Sequence, residues 1–346
     1  MCQLAAYVGD RPIAPLLLRA VEHQEAYIGG YATGLGVIDD GTLKVEKGVG
    51  HVRRVVSSTN IAELKGTTGI CHSRHTSKAK DRPDLNTRAM AHPFLDETGT
   101  LALMHNGSIH GYRELWEGLK ERHEFSSYSE EADDLTDSEV AVHMLRDYID
   151  EGSSMEEGLR SLAQNIRGEF LFGIISSEHP ETIWIANWHN PCVVALGDDE
   201  AMFCSSPIGF HDVRDELDRV FEPPKNSLLK LTPGKVEVTP LDPDRRVPNL
   251  NLDRNELARH VLELLQRGGE LDFKVLERSL NRKGFAEALG LPQERWQEHR
   301  KAGVTIVNPY IATLDMLIAD GLILERVDLR PEGGVPDTPR FSYSLA

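Results

Sequence analysis

Met1-Cys2-Gln3-Leu4-Ala5-Ala6-Tyr7-Val8 opens the chain. A small residue after an initiator methionine permits its removal, which would leave the free α-amino group on Cys2 itself. That amine has a reference pKa of roughly 7.7–8.0, against about 8.5 for a free thiol. Nucleophile and base would then belong to one residue, as in N-terminal threonine enzymes. Leu4–Val8 reads as a short apolar strand closed by Gly9-Asp10, and Cys2 alone is equally compatible with a buried strand residue. The rest of the chain has to decide between these readings.

Working outward, further strands are expected at Thr33–Ile38, Gly69–His72, Leu101–His105, Phe170–Ile175, Thr182–Ala186 and Ala201–Cys204. Each is rich in Val, Ile, Leu or Ala and bounded by Gly, Asp, Asn or Pro. Helices are expected over 110–121, 137–151 and 155–165, the second capped by Thr136 or Asp137. Strands come in runs, which predicts antiparallel sheets covered by helices. Three prolines between Thr239 and Pro248 predict a linker over 240–252, separating a domain of residues 2–239 from one of 253–346. In the latter, Leu257, Val261, Leu264 and Leu265 form one helical stripe, and Ile311, Leu314, Leu317 and Ile318 another. Strands Leu322–Val327 and Phe341–Leu345 follow, around a Pro-Glu-Gly-Gly turn region. Helices followed by a hairpin resemble a winged helix.

Composition narrows the function classes. No apolar run nears the roughly 20 residues of a membrane helix, and no basic leader precedes an apolar stretch, so a cytoplasmic protein is expected. Cys2, Cys71, Cys192 and Cys204 lie far apart, which suits a reducing compartment. The net charge is −17: residues 1–250 hold 25 basic and 40 acidic residues, and residues 251–346 hold 13 and 15. An acidic main domain repels phosphate backbones, which argues against DNA or RNA as partner.

Three further constellations carry chemistry. His105-Asn106-Gly107-Ser108-Ile109 follows an apolar run. It reads either as a hairpin turn or as an oxyanion hole built from the Asn106 amide and the Gly107 N–H, a donor of that kind contributing about 3 kcal/mol. Arg74 ends Gly69-Ile70-Cys71-His72-Ser73-Arg74 and offers a fork for a carboxylate; its alternative is a surface ion pair. Asp137 opens a helix, where it either caps the first turn or binds an ammonium group. Cys71, His72 and His75 lack the further ligand pattern of a metal site, so none is expected.

In this order the motifs resemble the glutaminase domain of the class II, N-terminal-nucleophile glutamine amidotransferases, particularly that of glucosamine-6-phosphate synthase, across roughly residues 2–240. Gly30-Tyr31-Ala32-Thr33-Gly34, Ala91-His92-Pro93, Thr136-Asp137-Ser138-Glu139, Arg167-Gly168-Glu169-Phe170 and Ser205-Ser206-Pro207 add to the likeness. The resemblance implies an α+β fold, a four-layer αββα Ntn-hydrolase sandwich, here followed by the small winged-helix-like α/β domain. It implies Cys2 as nucleophile, Asn106 and Gly107 as oxyanion hole, Arg74 on the glutamine carboxylate, Asp137 on its amino group, Ser77 as a further substrate contact, and no metal or cofactor. The chain departs from the family at His75 and Lys78, where a Trp and a His are usual.

Only about 95 residues follow the linker, too few for a sugar-isomerase half, and no phosphoribosyl or ATP loop is visible. The expected function is therefore a glutaminase that supplies ammonia to a synthase partner on another chain, with a homo-oligomer also open. A stand-alone γ-glutamyl amide hydrolase is the alternative, motivated by Met1-Cys2 and His92-Pro93-Phe94. A glutamine-sensing regulator is the third reading, motivated by the tail, whose lack of a basic face favours protein docking over DNA.

Overall fold

Alternation in the first strand sets the architecture. The structure, a computed structural model, describes residues 2–76, 82–188, 191–246, 252–279, 285–301 and 307–346. Strand β1 (Gln3–Val8) is buried throughout. Successive side chains of a strand point to opposite faces. Leu4, Ala6 and Val8 accordingly join one apolar core, and Ala5 and Tyr7 join another. A strand buried on both faces must lie between two layers.

Those layers come from two antiparallel sheets. The first contains β1, β2 (Ala32–Asp39), β3 (Thr42–Val49), β4 (Thr68–Arg74), β9 (Val193–Gly197), β10 (Glu200–Cys204) and β11 (Arg219–Phe221), in the order β11-β9-β10-β1-β4-β2-β3. The second contains β5 (Phe94–Leu95), β6 (Leu101–His110), β7 (Arg167–Ser176), β8 (Ile183–Asn187), β12 (Ser227–Thr232) and β13 (Lys235–Pro240), in the order β13-β12-β8-β7-β6-β5. Leu4, Ala6, Ile70, Met104, Leu171 and Ile185 fill the space between the sheets. Helices α1 (Ile13–Glu25) and α2 (Val52–Ser58) cover the outer face of the first sheet. Helix α3 (Tyr112–Glu117), helix α4 (Asp137–Asp150) and helix α5 (Met155–Asn165) cover that of the second. Four layers, helix-sheet-sheet-helix, result. Leu171 is fully buried between the sheets, so Leu171→Ala should destabilise the chain by about 2–5 kcal/mol, read as a lower denaturant midpoint.

Several expectations change in detail. His105-Asn106-Gly107 is not a turn: β6 continues to His110, with Asn106 opposite Leu171 and Gly107 opposite Phe170. The chain keeps strand geometry through Pro240, which pairs with Ser227, and Asn226 then holds Asp242 and Arg245 by their carbonyls. Residues 241–246 are therefore tied to the sandwich, although the proline content suggested a linker from 240. Residues 247–251 lie outside the described residues.

The C-terminal unit begins with α6 (Arg254–Gly268), the two-residue β14 (Leu271–Asp272) and α7 (Phe273–Ser279). Then come α8 (Phe285–Ala288), α9 (Gln293–Lys301), α10 (Val307–Ala319), β15 (Ile323–Glu332) and β16 (Val335–Leu345). Its sheet runs β14-β16-β15. The strands are longer than expected, turning at Gly333-Gly334 alone. Pro336 and Pro339 are tolerated in β16 because that part pairs on one side only, with β15; β14 reaches just Ser342 and Tyr343. The unit's core takes in Ala26, Tyr27 and Ile28 of the sandwich, so the two parts share apolar packing. Among the described residues no helix is long and apolar enough to cross a membrane.

Candidate active site

Cys2 sits at the head of β1, and the register places its neighbour Gln3 opposite Ser73 of β4. The Cys2 main-chain nitrogen donates to Asn106 Oδ1 at 3.0 Å. Its Sγ accepts from the His75 N–H and also approaches the His75 carbonyl, both at 3.4 Å. Burial pushes the thiol's pKa up, against the positive charge at the chain terminus, the His75 N–H and Arg74, which pull it down. Asn106 is buried on β6, one residue before Gly107.

Gly107 is required where it stands. Its φ is +144°, and a Cβ there would lie 1.8 Å from the Glu169 carbonyl oxygen. Arg74, the last residue of β4, is buried and donates to Asn86 Oδ1 at 3.3 Å. Asp137 is the first residue of α4, but neither it nor Thr136 makes a side-chain cap bond. Its carboxylate instead accepts from the Ile109 N–H at 2.7 Å and from Ser138 Oγ at 3.3 Å. Burial works to raise its pKa, but His105, 3.7 Å away, and the two donors hold it below the usual carboxylate value.

Beneath these groups lies a histidine cluster. Ser138 Oγ meets His92 Nε2 at 2.8 Å and His105 Nδ1 at 3.0 Å. His72 hydrogen-bonds the His105 carbonyl and stacks on His92 at 4.0 Å. Burial drives His72 down to about 3 and His92 well below its ordinary value. His72 and His92 thus contribute neutral imidazoles to the floor, and the cavity above has a cation, Arg74, and an anion, Asp137, in its wall. That cavity holds about 310 Å³ and is also lined by His75, Gly107, Tyr112 and Asp134.

Of the residues singled out from sequence, Arg74, Gly107 and Asp137 line one cavity, and Cys2 and Asn106 are hydrogen-bonded to each other beside it. Ser77 lies outside the described residues. Cys71, His72 and His75 do not converge: Cys71 faces the α1 side, whereas His72 points to the β6 side. Sequence reasoning missed Asn86, Tyr112 and Asp134. Asn86 joins the two units, because its Nδ2 donates to the Tyr31 carbonyl at 2.7 Å and to the Gly333 carbonyl at 2.9 Å while its Oδ1 holds Arg74. Gly333 packs on the Tyr31 ring, where a Cβ would come within 2.6 Å. Behind Cys2, Phe273, Asn308 and Ile311 of the C-terminal unit close a small cavity against Tyr27, Ser205 and Asn106.

Residues 82–208 match the glutamine amidotransferase domain family. Glutamine–fructose-6-phosphate aminotransferase of Streptococcus pneumoniae is 31% identical over 247 residues, 71% of this chain. The chain carries a class II glutamine amidotransferase domain. The Thermococcus kodakarensis aminotransferase of the same name is 31% identical over 209 residues, 60% of this chain. This chain spans 38% of the length of the first relative and 32% of the second. The glutamine phosphoribosylpyrophosphate amidotransferase from B. subtilis superposes with a TM-score of 0.59 at 17% identity, covering 84% of this chain and 65% of that one. That likeness extends to the fold alone, and it gives the amidotransferase domain its Ntn-hydrolase-like architecture.

Asn86 offers a test of how the domain's arginine is held. Removing its amide leaves Arg74 without that acceptor, a loss of about 1–3 kcal/mol. Asn86→Ala is therefore expected to raise the KM for glutamine by roughly tenfold or more, with kcat changed far less, in steady-state ammonia release.

Proposed function

We propose that this amidotransferase domain hydrolyses the side-chain amide of glutamine at Cys2 and delivers the ammonia to an acceptor centre outside these 346 residues. The observation that carries the reading is the wall of the 310 Å³ cavity, with Arg74 and Asp137 as opposite charges and Gly107 beside them. A free amino acid has a carboxylate and an ammonium group on one carbon, and this pair matches them. Arg74 binds the carboxylate and Asp137 the ammonium group. The side chain then runs toward Gly107, Asn106 and Cys2, displacing the weak contact of Sγ with His75.

In the first half-reaction the Cys2 thiol gives its proton to the free Cys2 amine, and sulfur attacks the amide carbon. The Asn106 amide and Gly107 N–H stabilise the tetrahedral oxyanion. The C–N bond breaks as the amine's proton passes to the leaving nitrogen, releasing ammonia and a γ-glutamyl thioester. Water, deprotonated by the same amine, then cleaves the C–S bond, yielding glutamate and the thiol. No metal enters these steps. Four free, buried cysteines suit a reducing, cytoplasmic setting.

The C-terminal unit fits a winged-helix reading, since its order helix-strand-helices-strand-strand and its β14-β16-β15 sheet follow that pattern. Val327 and Leu329, on one face of edge strand β15, are exposed, as is Leu324 on the other. Such a surface suits a protein partner, a synthase subunit or a second copy, better than a phosphate backbone. The experiment is ammonia release from glutamine by purified protein, compared with larger γ-glutamyl amides. Preference for glutamine supports the reading, faster turnover of a larger amide favours a stand-alone hydrolase, and no release from either overturns both.

A further inference from the structure

Glu97, His123 and His143 converge away from the glutamine cavity. Glu97 lies in the turn between β5 and β6, His123 in the segment joining α3 to α4, and His143 within α4. His123 Nδ1 is 3.0 Å from Glu97 Oε1, and His143 Nδ1 is 2.9 Å from Glu97 Oε2. One ligand atom from each lies within 4.8 Å of the other two. Both imidazoles are buried, and Glu97 is partly open to solvent.

We propose that these three residues form a binding site for a zinc-type divalent cation. Two imidazole nitrogens and one carboxylate are the donor set such an ion takes, with bonds of about 2.0–2.2 Å. The atoms are close enough for one ion to engage all three after small rotations, chiefly of Glu97. A second shell is present: Asp147 Oδ1 lies 2.9 Å from His123 Nε2. A carboxylate accepting from that nitrogen's proton fixes the tautomer that leaves the Nδ1 lone pair toward the ion. Access is also present, since a separate cavity of about 460 Å³ borders Glu97 and His143, with Asp96, Glu124 and Glu139 as well as Lys47 and Arg88 in its lining. With three protein ligands a fourth position is left for water. Because the ligands come from three segments, the ion would clasp the β5–β6 turn and the α3–α4 connection to α4. It takes no part in the chemistry at Cys2.

The test uses the full chain as its Cys2→Ala variant, which removes the terminal thiol and with it the aminothiol chelate that would compete for metal. After chelator treatment and desalting it is titrated with ZnCl₂ against a chromogenic chelator, and with CoCl₂ while the visible spectrum is recorded. The expected result is one saturable equivalent, weakened at least a hundredfold by His143→Gln or Glu97→Gln and 10–100-fold by Asp147→Asn. Circular dichroism checks the fold of each variant, and Glu97→Gln, at the most exposed ligand, keeps the test informative if the histidine variant misfolds. Equal zinc affinity in the parent and Glu97→Gln chains, or no saturable site, would overturn the proposal and leave the cluster as a hydrogen-bonded network.

Discussion

Cys2→Ala is expected to lower ammonia release from glutamine by at least about 10⁴-fold while leaving glutamine bound. Removing a nucleophile that works together with its base leaves only the contribution of binding and oxyanion stabilisation. The other three cysteines offer no substitute: Cys71 and Cys204 belong to the core under α1, and Cys192, buried between the sheets, has its thiol pushed far up by that burial. Arg74 and Asp137 are untouched by the substitution, so a glutamine-induced rise in melting temperature should persist. Ammonia counted by a coupled dehydrogenase assay and a parallel thermal shift give the two readouts. Loss of activity together with loss of the shift would mean that the variant had misfolded.

Asn106→Ala should reduce kcat by about 10²–10³-fold, with KM changed only slightly, since an oxyanion donor acts on the transition state rather than on bound substrate. Asn106 accepts from the Cys2 main-chain nitrogen through Oδ1, which orients the amide group at the other end of its side chain. Asn106→Asp separates this role from simple support of the strand. Aspartate keeps the acceptor for Cys2 but replaces the donor by a negative charge facing a developing oxyanion. It should be at least as inactive as alanine while folding as stably. If Asn106→Asp kept most of its kcat, Asn106 would be a structural residue only.

The sandwich was legible wherever strands are buried on both faces and read as short continuous apolar runs. β1, β2, β8 and β10 fall close to their expected positions for that reason, whereas β6 runs on to His110. Strand β3 was not legible, because Thr42-Leu43-Lys44-Val45-Glu46-Lys47 lies at a sheet edge, mostly half-buried, and offers only two apolar residues in six. Helix α1 was also missed. Pro12 and Pro15 look like breakers, yet Pro12 sits at the N-cap and Pro15 in the first turn, where proline removes no helical bond. At the site, Cys2, Arg74, Asn106, Gly107 and Asp137 could be read from motif order. Asn86 could not, because its role depends on contacts with Arg74, Tyr31 and the distant Gly333. The convergence of His72, His92 and His105 around Ser138 likewise joins β4, the β4–β5 connection, β6 and α4. Only the fold determines such meetings.

The central claim concerns sulfur and amine on one residue, and mass spectrometry of the protein after reaction with a glutamine-mimicking diazoketone tests it most directly. The account predicts a single adduct on the Cys2 sulfur, in chains whose first residue is Cys2 with an unblocked amine, appearing in step with the loss of ammonia release. An adduct confined to Cys71, Cys192 or Cys204, or full glutaminase activity in chains that keep Met1, would contradict it.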